Sequence, residues 1–271
     1  MQLVKAVKIF LRYTMQAMIF AAGLGTRLKP LTETMPKALV RVGGRELLDR
    51  VIVRLKDAGA THIVVNVHHF SEQIINYLCV HNYGIRIDIS DETEQLLDTG
   101  GGIKRAASLF SREEPVLIHN VDILSNVDLT KFYNNASNSV ADALLLVSSR
   151  KTERYLIFSE DMRLMGWTNV STSEVRSPYA ELQGLCFKSP CDSVALAHGY
   201  RLYAFSGIHA VSSSVFDVMR REESDVFPII DFYLRHCREL CFRGEVKNDL
   251  KLIDVGKIAS LDDAELLVKQ L

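Results

Sequence analysis

Short apolar runs alternate with amphipathic segments through the first half of this 271-residue chain. Helices are expected at Arg45 to Ala58, at Glu72 to Cys79 behind an N-cap at Ser71, and at Gly101 to Phe110. Buried strands are expected at residues 17–20, 62–67, 85–89, 115–119 and 143–147. Because repeated β-α units place their strands side by side, the pattern predicts an α/β fold whose mostly parallel sheet is flanked by helices on both faces.

The first predicted strand runs directly into a loop that contains two glycines. Two basic residues, Arg27 and Lys37, follow this loop, which reads Ala21-Ala22-Gly23-Leu24-Gly25-Thr26. Glycine has no Cβ, so backbone N–H groups can converge on an anion, and the basic side chains add charge for several phosphates. The P-loop pattern is absent, and a dinucleotide fingerprint would need glycine where Leu28 stands. An ordinary strand-to-helix turn explains the glycines alone, but the added cations favour a nucleoside triphosphate site.

Two aspartates follow apolar runs in the same way. Asp122 comes just after the predicted strand at residues 115–119, and Asp254 follows Leu252 and Ile253. Open α/β sheets bind ligands at the carboxyl ends of their strands, and Mg²⁺ uses one or two carboxylates together with phosphate oxygens and water. Taken alone, either acid is explained by a solvated position in a loop or by a role as a helix cap. Their shared position predicts a magnesium site beside the phosphates.

A second glycine cluster, Thr99-Gly100-Gly101-Gly102, is expected to precede the third predicted helix. Its backbone donors could hold a nucleobase edge or a ribose, and a flexible turn explains it equally well. Farther along, residues 150–200 mix short strand-like pieces with polar turns. We expect this segment to form an antiparallel excursion that covers one end of the sheet.

Composition excludes several classes of partner. The formal net charge of −1 predicts no bulk attraction to nucleic acid or to a membrane, and no apolar run approaches the roughly 20 residues of a transmembrane helix. The five cysteines are odd in number and lack Cys-x-x-Cys spacing, which argues against a zinc site or a disulfide framework and indicates a reducing cytoplasm. Residues 1–14 form a basic extension ahead of Met15, and one domain is expected at residues 15–271.

Together these motifs resemble those of the sugar-1-phosphate nucleotidyltransferases, from about Gln16 to the C-terminus. The strongest match is the loop from Ala21 to Arg27 with the later Pro36-Lys37. Supporting matches are Asp98 to Ile103, Phe205 to His209 and Ile253 to Gly256. The chain is most similar to bacterial N-acetylmuramate-1-phosphate uridylyltransferases, and proteins called mannose-1-phosphate guanylyltransferases also look alike. The resemblance implies a GT-A-like, Rossmann-related fold with a small antiparallel region over the substrate.

The resemblance also implies a role for each matching residue. The loop from Ala22 to Thr26 would wrap the nucleoside triphosphate, UTP or GTP, while Arg27 grips the departing pyrophosphate and Lys37 the phosphate oxygens at the reaction centre. Nucleoside contacts would come from Thr99, Gly100, Gly101 and Asn120, sugar contacts from Gly207 and Lys188, and Mg²⁺ ligands from Asp122 and Asp254. The implied reaction joins the nucleotide to a sugar 1-phosphate by in-line transfer and releases pyrophosphate. Some relatives are homodimers, so a homodimer is an expectation here.

Two other functions are open at this point. A non-catalytic nucleotide-sugar sensor with the same fold would bind without turnover, although both acids and both cations are present. A nicotinamide-dependent oxidoreductase is disfavoured by Leu28 and by Asn66, which ends the second strand where an acid would hold a ribose.

Overall fold

The computed structural model describes residues 14–189, 195 and 198–271. All but the last residue of the predicted extension at residues 1–14 therefore lies outside the described residues. The strands are β1 (Met15–Phe20), β2 (Arg41–Val42), β3 (Arg45–Glu46), β4 (Ala60–Val67), β5 (Arg86–Asp91), β6 (Val116–Asn120), β7 (Ile123–Ser125), β8 (Ala143–Ser148), β9 (Arg154–Phe158), β10 (Leu164–Asn169), β11 (Glu174–Arg176), β12 (Arg201–Val211), β13 (Phe242–Val246) and β14 (Leu252–Asp254). The α-helices are α1 (Leu47–Asp57), α2 (Ser71–Val80), α3 (Asp98–Ala106), α4 (Leu129–Ser137), α5 (Ser213–Met219), α6 (Ile229–His236) and α7 (Leu261–Val268).

The central sheet has a parallel half and an antiparallel half. Its strands follow the order β11-β10-β9-β12-β6-β1-β4-β5, with β8 paired to β12 and β13 paired to β8. The pairs that join β6, β1, β4 and β5 are parallel, as is the pair of β8 with β13. The long strand β12 runs antiparallel to β6, β8 and β9, and β9, β10 and β11 form an antiparallel extension. The expected parallel sheet with an antiparallel excursion is therefore confirmed.

Apolar cores fill both faces of the sheet. Along β1, Ala17 and Ile19 point to the core on the α1 face, whereas Met18 points to the core that packs on α6. All three side chains are fully buried. Because both faces are covered, the central parallel strands read as continuous apolar runs, which is why the sequence shows them clearly.

All three predicted helix starts differ from the structure. Helix α1 begins at Leu47 and not at Arg45, because Arg45 and Glu46 form strand β3. Helix α2 begins at Ser71, and its N-cap is Phe70 in the left-handed conformation (φ 54°), so the predicted cap bond of Ser71 is absent. The second glycine cluster lies inside α3 and does not precede it. A Cβ on Gly100 would stand 2.3 Å from Phe227 Cδ2, and one on Gly101 would stand 1.9 Å from the carbonyl oxygen of Asp225. These glycines therefore make room for a neighbouring segment and do not form a flexible turn.

The second aspartate does not follow a strand of the central sheet. Strand β14, which ends at Asp254, pairs with β7 in a separate two-stranded antiparallel sheet. In this pairing Asp254 lies opposite Ile123, and the N–H of Val255 donates to the carbonyl oxygen of Asp122 at 2.9 Å. A local ribbon thus brings the two acids together. Within the described part of the chain, no helix has both the length and the apolar character needed to cross a membrane.

Candidate active site

A cavity of about 420 Å³ opens at the carboxyl ends of β1, β4 and β6. The predicted residues that line it are Ala21, Ala22, Gly23, Lys37, Thr99, Asn120 and Asp122. The structure therefore gathers half of the predicted nucleotide contacts, one predicted cation and one predicted metal ligand around a single space.

The glycine loop is folded back on itself beside this cavity. Gly25 has the left-handed conformation (φ 63°), and its carbonyl oxygen accepts a hydrogen bond from Thr32 Oγ1 at 2.7 Å. A Cβ on Gly25 would stand 3.1 Å from Lys37 Cβ and 3.0 Å from Thr32 Cγ2. The glycine thus permits the close approach that carries Lys37 to the cavity. By contrast, a Cβ on Gly23 would meet open space.

Two buried residues that the sequence analysis did not assign to the site hold the start of the loop. Asn66 Oδ1 accepts hydrogen bonds from the N–H groups of Ala21 (2.7 Å) and Ala22 (3.3 Å). Asn66 Nδ2 in turn donates to Glu92 Oε1 at 2.7 Å, and the N–H of Leu97 donates to Glu92 Oε2 at 3.2 Å. Burial raises the pKa of Glu92, although these hydrogen bonds oppose the rise. Asn66 is a polar residue inside the apolar strand β4, and this was the one signal in the sequence that could have pointed to its role in the site.

Acids and cations meet at one end of the cavity. Lys37 Nζ contacts Asp122 Oδ2, and these side chains are 15% and 10% exposed. Arg27 Nη2 lies 3.9 Å from Asp254 Oδ2, and both side chains are about half exposed, so this ion pair contributes little to stability. Partial burial raises the pKa of Asp254, and the adjacent Asp122 carboxylate raises it further, against the opposing charges of Lys37 and Arg27. The Asp254 carboxylate is therefore a site where an added cation would be stabilising.

The donor set fits a divalent cation bound together with phosphates. Among the described residues, no cluster of three or more His, Cys, Asp or Glu side chains could hold a metal ion alone. Asp122 and Asp254 supply two carboxylates, and Mg²⁺ commonly completes such a site with phosphate oxygens and water. A Cβ on Gly256 would stand 2.6 Å from both Arg27 Nη2 and Asp254 Oδ1, so the glycine leaves space for these groups.

The remaining predicted residues lie in different settings. The N–H groups of Gly100 and Gly101 both donate to the Phe227 carbonyl oxygen, at 2.8 and 3.2 Å, so neither donor faces the cavity. Gly207 (φ 75°) packs on the cavity wall, where its Cβ would stand 2.7 Å from Asn120 Nδ2. Lys188 is exposed and does not line this cavity. Leu24 is partly exposed, and Thr26 begins a short 3₁₀-helix. Their contacts with substrate stay predictions.

Sequence comparison relates this chain to known proteins. A sequence model of the nucleotidyl transferase family matches residues 16–158. The chain is 48% identical over 109 residues to the N-acetylmuramate alpha-1-phosphate uridylyltransferase of Caulobacter vibrioides, covering 39% of this chain and 45% of that protein. It is 36% identical over 113 residues to the mannose-1-phosphate guanyltransferase of Emericella nidulans, covering 41% and 31%. The aligned part thus spans about half the length, or less, of these curated relatives.

The fold extends beyond the part that aligns in sequence. The solved structure of the inositol-1-phosphate CTP transferase of T. maritima superposes with a TM-score of 0.70 at 15% identity, covering 94% of this chain and 96% of that one. The likeness shows a GT-A-like fold over nearly the whole chain. Because the family model matches more than half of the sequence, the chain belongs to the nucleotidyl transferase family.

Proposed function

We propose that the protein transfers a nucleotidyl group from a nucleoside triphosphate to a sugar 1-phosphate and releases pyrophosphate. The observation that carries the proposal is the meeting of two acids, Asp122 and Asp254, with two cations, Lys37 and Arg27, at one end of a cavity bordered by the glycine loop. Phosphoryl chemistry needs charge neutralisation and positioning more than covalent catalysis, and this arrangement supplies both.

The reaction follows from the charges at this end of the cavity. A phosphate oxygen of the sugar 1-phosphate attacks the α-phosphorus, the new P–O bond forms, and the bond to the pyrophosphate oxygen breaks in line. The attacking oxygen is already anionic, so no side chain has to remove a proton. Lys37 holds oxygens of the transferring phosphate, and Arg27 holds the departing pyrophosphate. Asp122 and Asp254 would bind a Mg²⁺ ion, which would neutralise charge on the phosphate oxygens.

The nucleoside would lie against the part of the cavity formed by Thr99 and Asn120. Because Thr99 lines the cavity and Gly100 and Gly101 do not, we assign the contact from the glycine cluster to Thr99. Two substrate pairs are first candidates: UTP with N-acetylmuramate 1-phosphate, and GTP with mannose 1-phosphate. The names of similar proteins support both pairs.

We also propose that the enzyme is cytoplasmic, which is consistent with the four free cysteines among the described residues. We propose in addition that it forms a homodimer.

A pyrophosphate-release screen tests the function directly. Each nucleoside triphosphate is combined with a panel of sugar 1-phosphates and Mg²⁺, and one pair is expected to release pyrophosphate at a rate that chelation with EDTA abolishes. Tight triphosphate binding without turnover for any pair would favour the nucleotide-sugar sensor. Sedimentation of the purified protein checks the homodimer.

Substitutions test the site itself. Asp122→Asn and Lys37→Ala should each lower kcat by on the order of 10²-fold or more, because each removes a charge that acts on the transferring phosphate. Lys269→Ala, at an exposed position of the C-terminal segment, is the matched control and should keep the full rate. Near-normal pyrophosphate release by folded Asp122→Asn and Lys37→Ala proteins would show that the reaction takes place elsewhere.

A further inference from the structure

Each of the two acids at the end of the cavity has a cation of the protein beside it, and the two pairs differ. Lys37 Nζ contacts Asp122 Oδ2 directly, and both side chains are largely buried. Arg27 Nη2 stands 3.9 Å from Asp254 Oδ2, and both of these side chains are about half exposed. The carboxylate of Asp122 is therefore occupied by an ammonium group, whereas that of Asp254 is open to water.

The side chain of Lys37 is fixed at its base and adaptable at its tip. Its residue begins the 3₁₀-helix Lys37–Leu39, and the N–H of Val40 donates to its carbonyl oxygen at 3.1 Å. Its Cβ lies so close to Gly25 that a Cβ added there would stand 3.1 Å away. A lysine ammonium is a compact charge on a flexible four-carbon stem. Nζ can therefore leave Asp122 while the backbone of Lys37 stays in place.

A metal ion and the Lys37 ammonium compete for the same carboxylate. The backbone of Asp122 is held in the β7–β14 ribbon, where its carbonyl oxygen accepts a hydrogen bond from the N–H of Val255 at 2.9 Å. A divalent cation bound by Asp122 and Asp254 would stand beside Nζ of Lys37, and like charges at such short range repel. Because the Lys37–Asp122 pair is largely buried, solvent ions screen this repulsion only weakly.

The charge balance at this end of the cavity favours a metal ion only when an anion accompanies it. The charges of the two acids and the two cations cancel, so a divalent cation alone would leave an excess of positive charge. A triphosphate removes this excess, and its oxygens give the Lys37 ammonium new anionic partners. Phosphate binding therefore lowers the cost of moving Lys37 away from Asp122.

We propose that Lys37 is a built-in counter-ion that keeps a divalent cation from binding to Asp122 until the phosphates of the nucleotide draw the lysine away. Lys37 thereby makes the binding of the cation and of the triphosphate cooperative, and thermodynamic linkage makes this coupling reciprocal. The inference rests on the proposed function, because it concerns the order in which the same site is filled. Its consequence is a site that resists filling by a free metal ion.

Binding of Mn²⁺ to the protein without nucleotide tests the block directly. Mn²⁺ prefers the same oxygen ligands as Mg²⁺, and electron paramagnetic resonance measures the free ion. Lys37→Gln should bind Mn²⁺ about ten-fold more tightly than the native protein, and adding Asp122→Asn should remove the gain. Arg27→Gln removes the same charge from a looser, exposed pair and should change the affinity by about two-fold or less. Equal affinities of Lys37→Gln and native protein, or equal gains in both single variants, would overturn the proposal.

Binding of the triphosphate in EDTA tests the other side of the coupling. Calorimetry with non-hydrolysable UTP and GTP analogues should show that Asp122→Asn binds the analogue about ten-fold more tightly than the native protein, because Lys37 is then free. Asp254→Asn also removes an acid but leaves the Lys37 contact, so its gain should be smaller. Asparagine keeps the shape of aspartate, so this comparison holds even where Lys37→Gln fails to fold.

A double-mutant cycle separates the contact from general charge effects. Lys37→Gln should weaken analogue binding more in the Asp122→Asn protein than in the native one, whereas its effect should be nearly the same with and without Asp254→Asn. Additive effects of Lys37→Gln and Asp122→Asn, or no analogue binding by the Asp122→Asn protein, would contradict the counter-ion role.

Turnover separates this inference from the proposed function. If pyrophosphate is released but Lys37→Gln and the native protein bind Mn²⁺ equally, Lys37 does not block the metal ligand and the proposed function stands. If no substrate pair reacts but Lys37→Gln gains Mn²⁺ affinity and the cycle with Asp122→Asn is non-additive, the counter-ion role stands and the transfer reaction does not.

Discussion

At the scale of single residues, the cavity depends on side chains that hold other groups in place. The first two N–H groups of the glycine loop, those of Ala21 and Ala22, are used by Asn66 and are not free for phosphate. Asn66 is in turn fixed by Glu92, a carboxylate that is 2% exposed. The donors left for an anion are those farther along the loop. Asn66 and Glu92 therefore act as positioning residues for this loop.

Glu92→Gln should separate loop positioning from chemistry. Both carboxylate oxygens accept hydrogen bonds, so the amide group of glutamine would turn a donor toward Asn66 or Leu97 and leave a buried donor unpaired. We expect a loss of about 1–3 kcal/mol in the free energy of unfolding, and a roughly ten-fold higher KM for the triphosphate with a smaller change in kcat. Urea unfolding and steady-state kinetics measure the two effects. Glu94→Gln, on the same loop but exposed, should change neither, and an unaltered KM in Glu92→Gln would contradict the positioning role.

Asp254→Asn should make the metal-free protein more stable while it abolishes activity. Burial and the Asp122 carboxylate raise the pKa of Asp254, so the folded state loses stability as the pH rises through that raised pKa. Because the side chain is half exposed, solvent screening limits the gain from removing its charge to about 1 kcal/mol or less, or at most about 2–4 °C in Tm. Thermal unfolding in EDTA at pH 7.5 (roughly the upper end of the usual range of maximal stability) measures the change in Tm. Glu223→Gln, an exposed acid, is the control, and a lower Tm for Asp254→Asn would argue against repulsion between the two acids.

At the scale of elements, helix α3 is defined by what it packs against. Its first turns contain three buried glycines, a composition that disfavours helix in isolation. The segment Asp225 to Phe227 crosses so close that no Cβ fits at Gly100 or Gly101. The close approach also allows both N–H groups of these glycines to donate to Phe227. Tertiary packing thus outweighs local propensity.

Gly101→Ala measures that balance. Alanine favours a helix over glycine by about 1 kcal/mol, but its methyl group would stand 1.9 Å from the Asp225 carbonyl oxygen, a backbone atom that cannot rotate away. We expect overpacking to win and the free energy of unfolding to fall by about 1–3 kcal/mol. Urea denaturation checks the sign. The matched substitution Gly23→Ala, which adds a methyl group in open space, should leave stability unchanged, and a stabilised Gly101→Ala protein would rule out the close contact.

The elements that were predicted correctly are those with a strong local signal. Strands β1, β4 and β6 are mostly apolar on both faces, and the ends of each were expected to within two residues. Helix α3 was expected to begin three residues late, because glycines indicate loops unless the neighbour that excludes a Cβ is known. The β7–β14 ribbon has three residues in each strand, too few to show a period. Its pairing of distant segments could not be inferred from either segment alone.

At the scale of the whole molecule, stability should fall in mild acid because two histidines are buried in uncharged form. Burial lowers the pKa of His209 to about 3 and that of His119 to about 4, from a usual value of 6.5. Nδ1 of neutral His209 lies 2.5 Å from the hydroxyl oxygen of Tyr233 and shares a hydrogen bond with it. The unfolded chain binds protons at these positions below pH 6.5, whereas the folded protein does not, so the stability they contribute above that pH is lost as the pH falls towards 4 and 3.

His209→Gln should make stability less dependent on pH. Urea midpoints between pH 7 and pH 4.5 (roughly the range over which an ordinary histidine titrates) should fall steeply for the native protein and less steeply for the variant. The variant is expected to be less stable at neutral pH, so the slope with pH is the informative quantity. His81→Gln, at an exposed position, should keep the native slope. Equal slopes for His209→Gln and the native protein would show that His209 titrates normally.

The sequence predicted the first half of the site better than the second. Arg27 and Lys37 follow one loop, and Asp122 follows a clear strand, so their meeting was foreseeable from the rule that ligands bind at strand ends. Glu92 was not assigned. It follows β5, and its contact with Asn66 of β4 joins two segments whose sequences show no sign of this pairing.

The ribbon that joins Asp122 to Asp254 also sets an order of events during synthesis. The glycine loop, Lys37 and Asp122 all lie in the first half of the chain, so they leave the ribosome before the second half is made. The parallel strands β1, β4, β5 and β6 can pair at that stage. Asp254 arrives more than a hundred residues later, on the last strand. A nascent chain could therefore fold the triphosphate-binding part of the site long before its second metal ligand, Asp254, has been synthesised. Competence for transfer would come late in translation, with the pairing of β14 to β7.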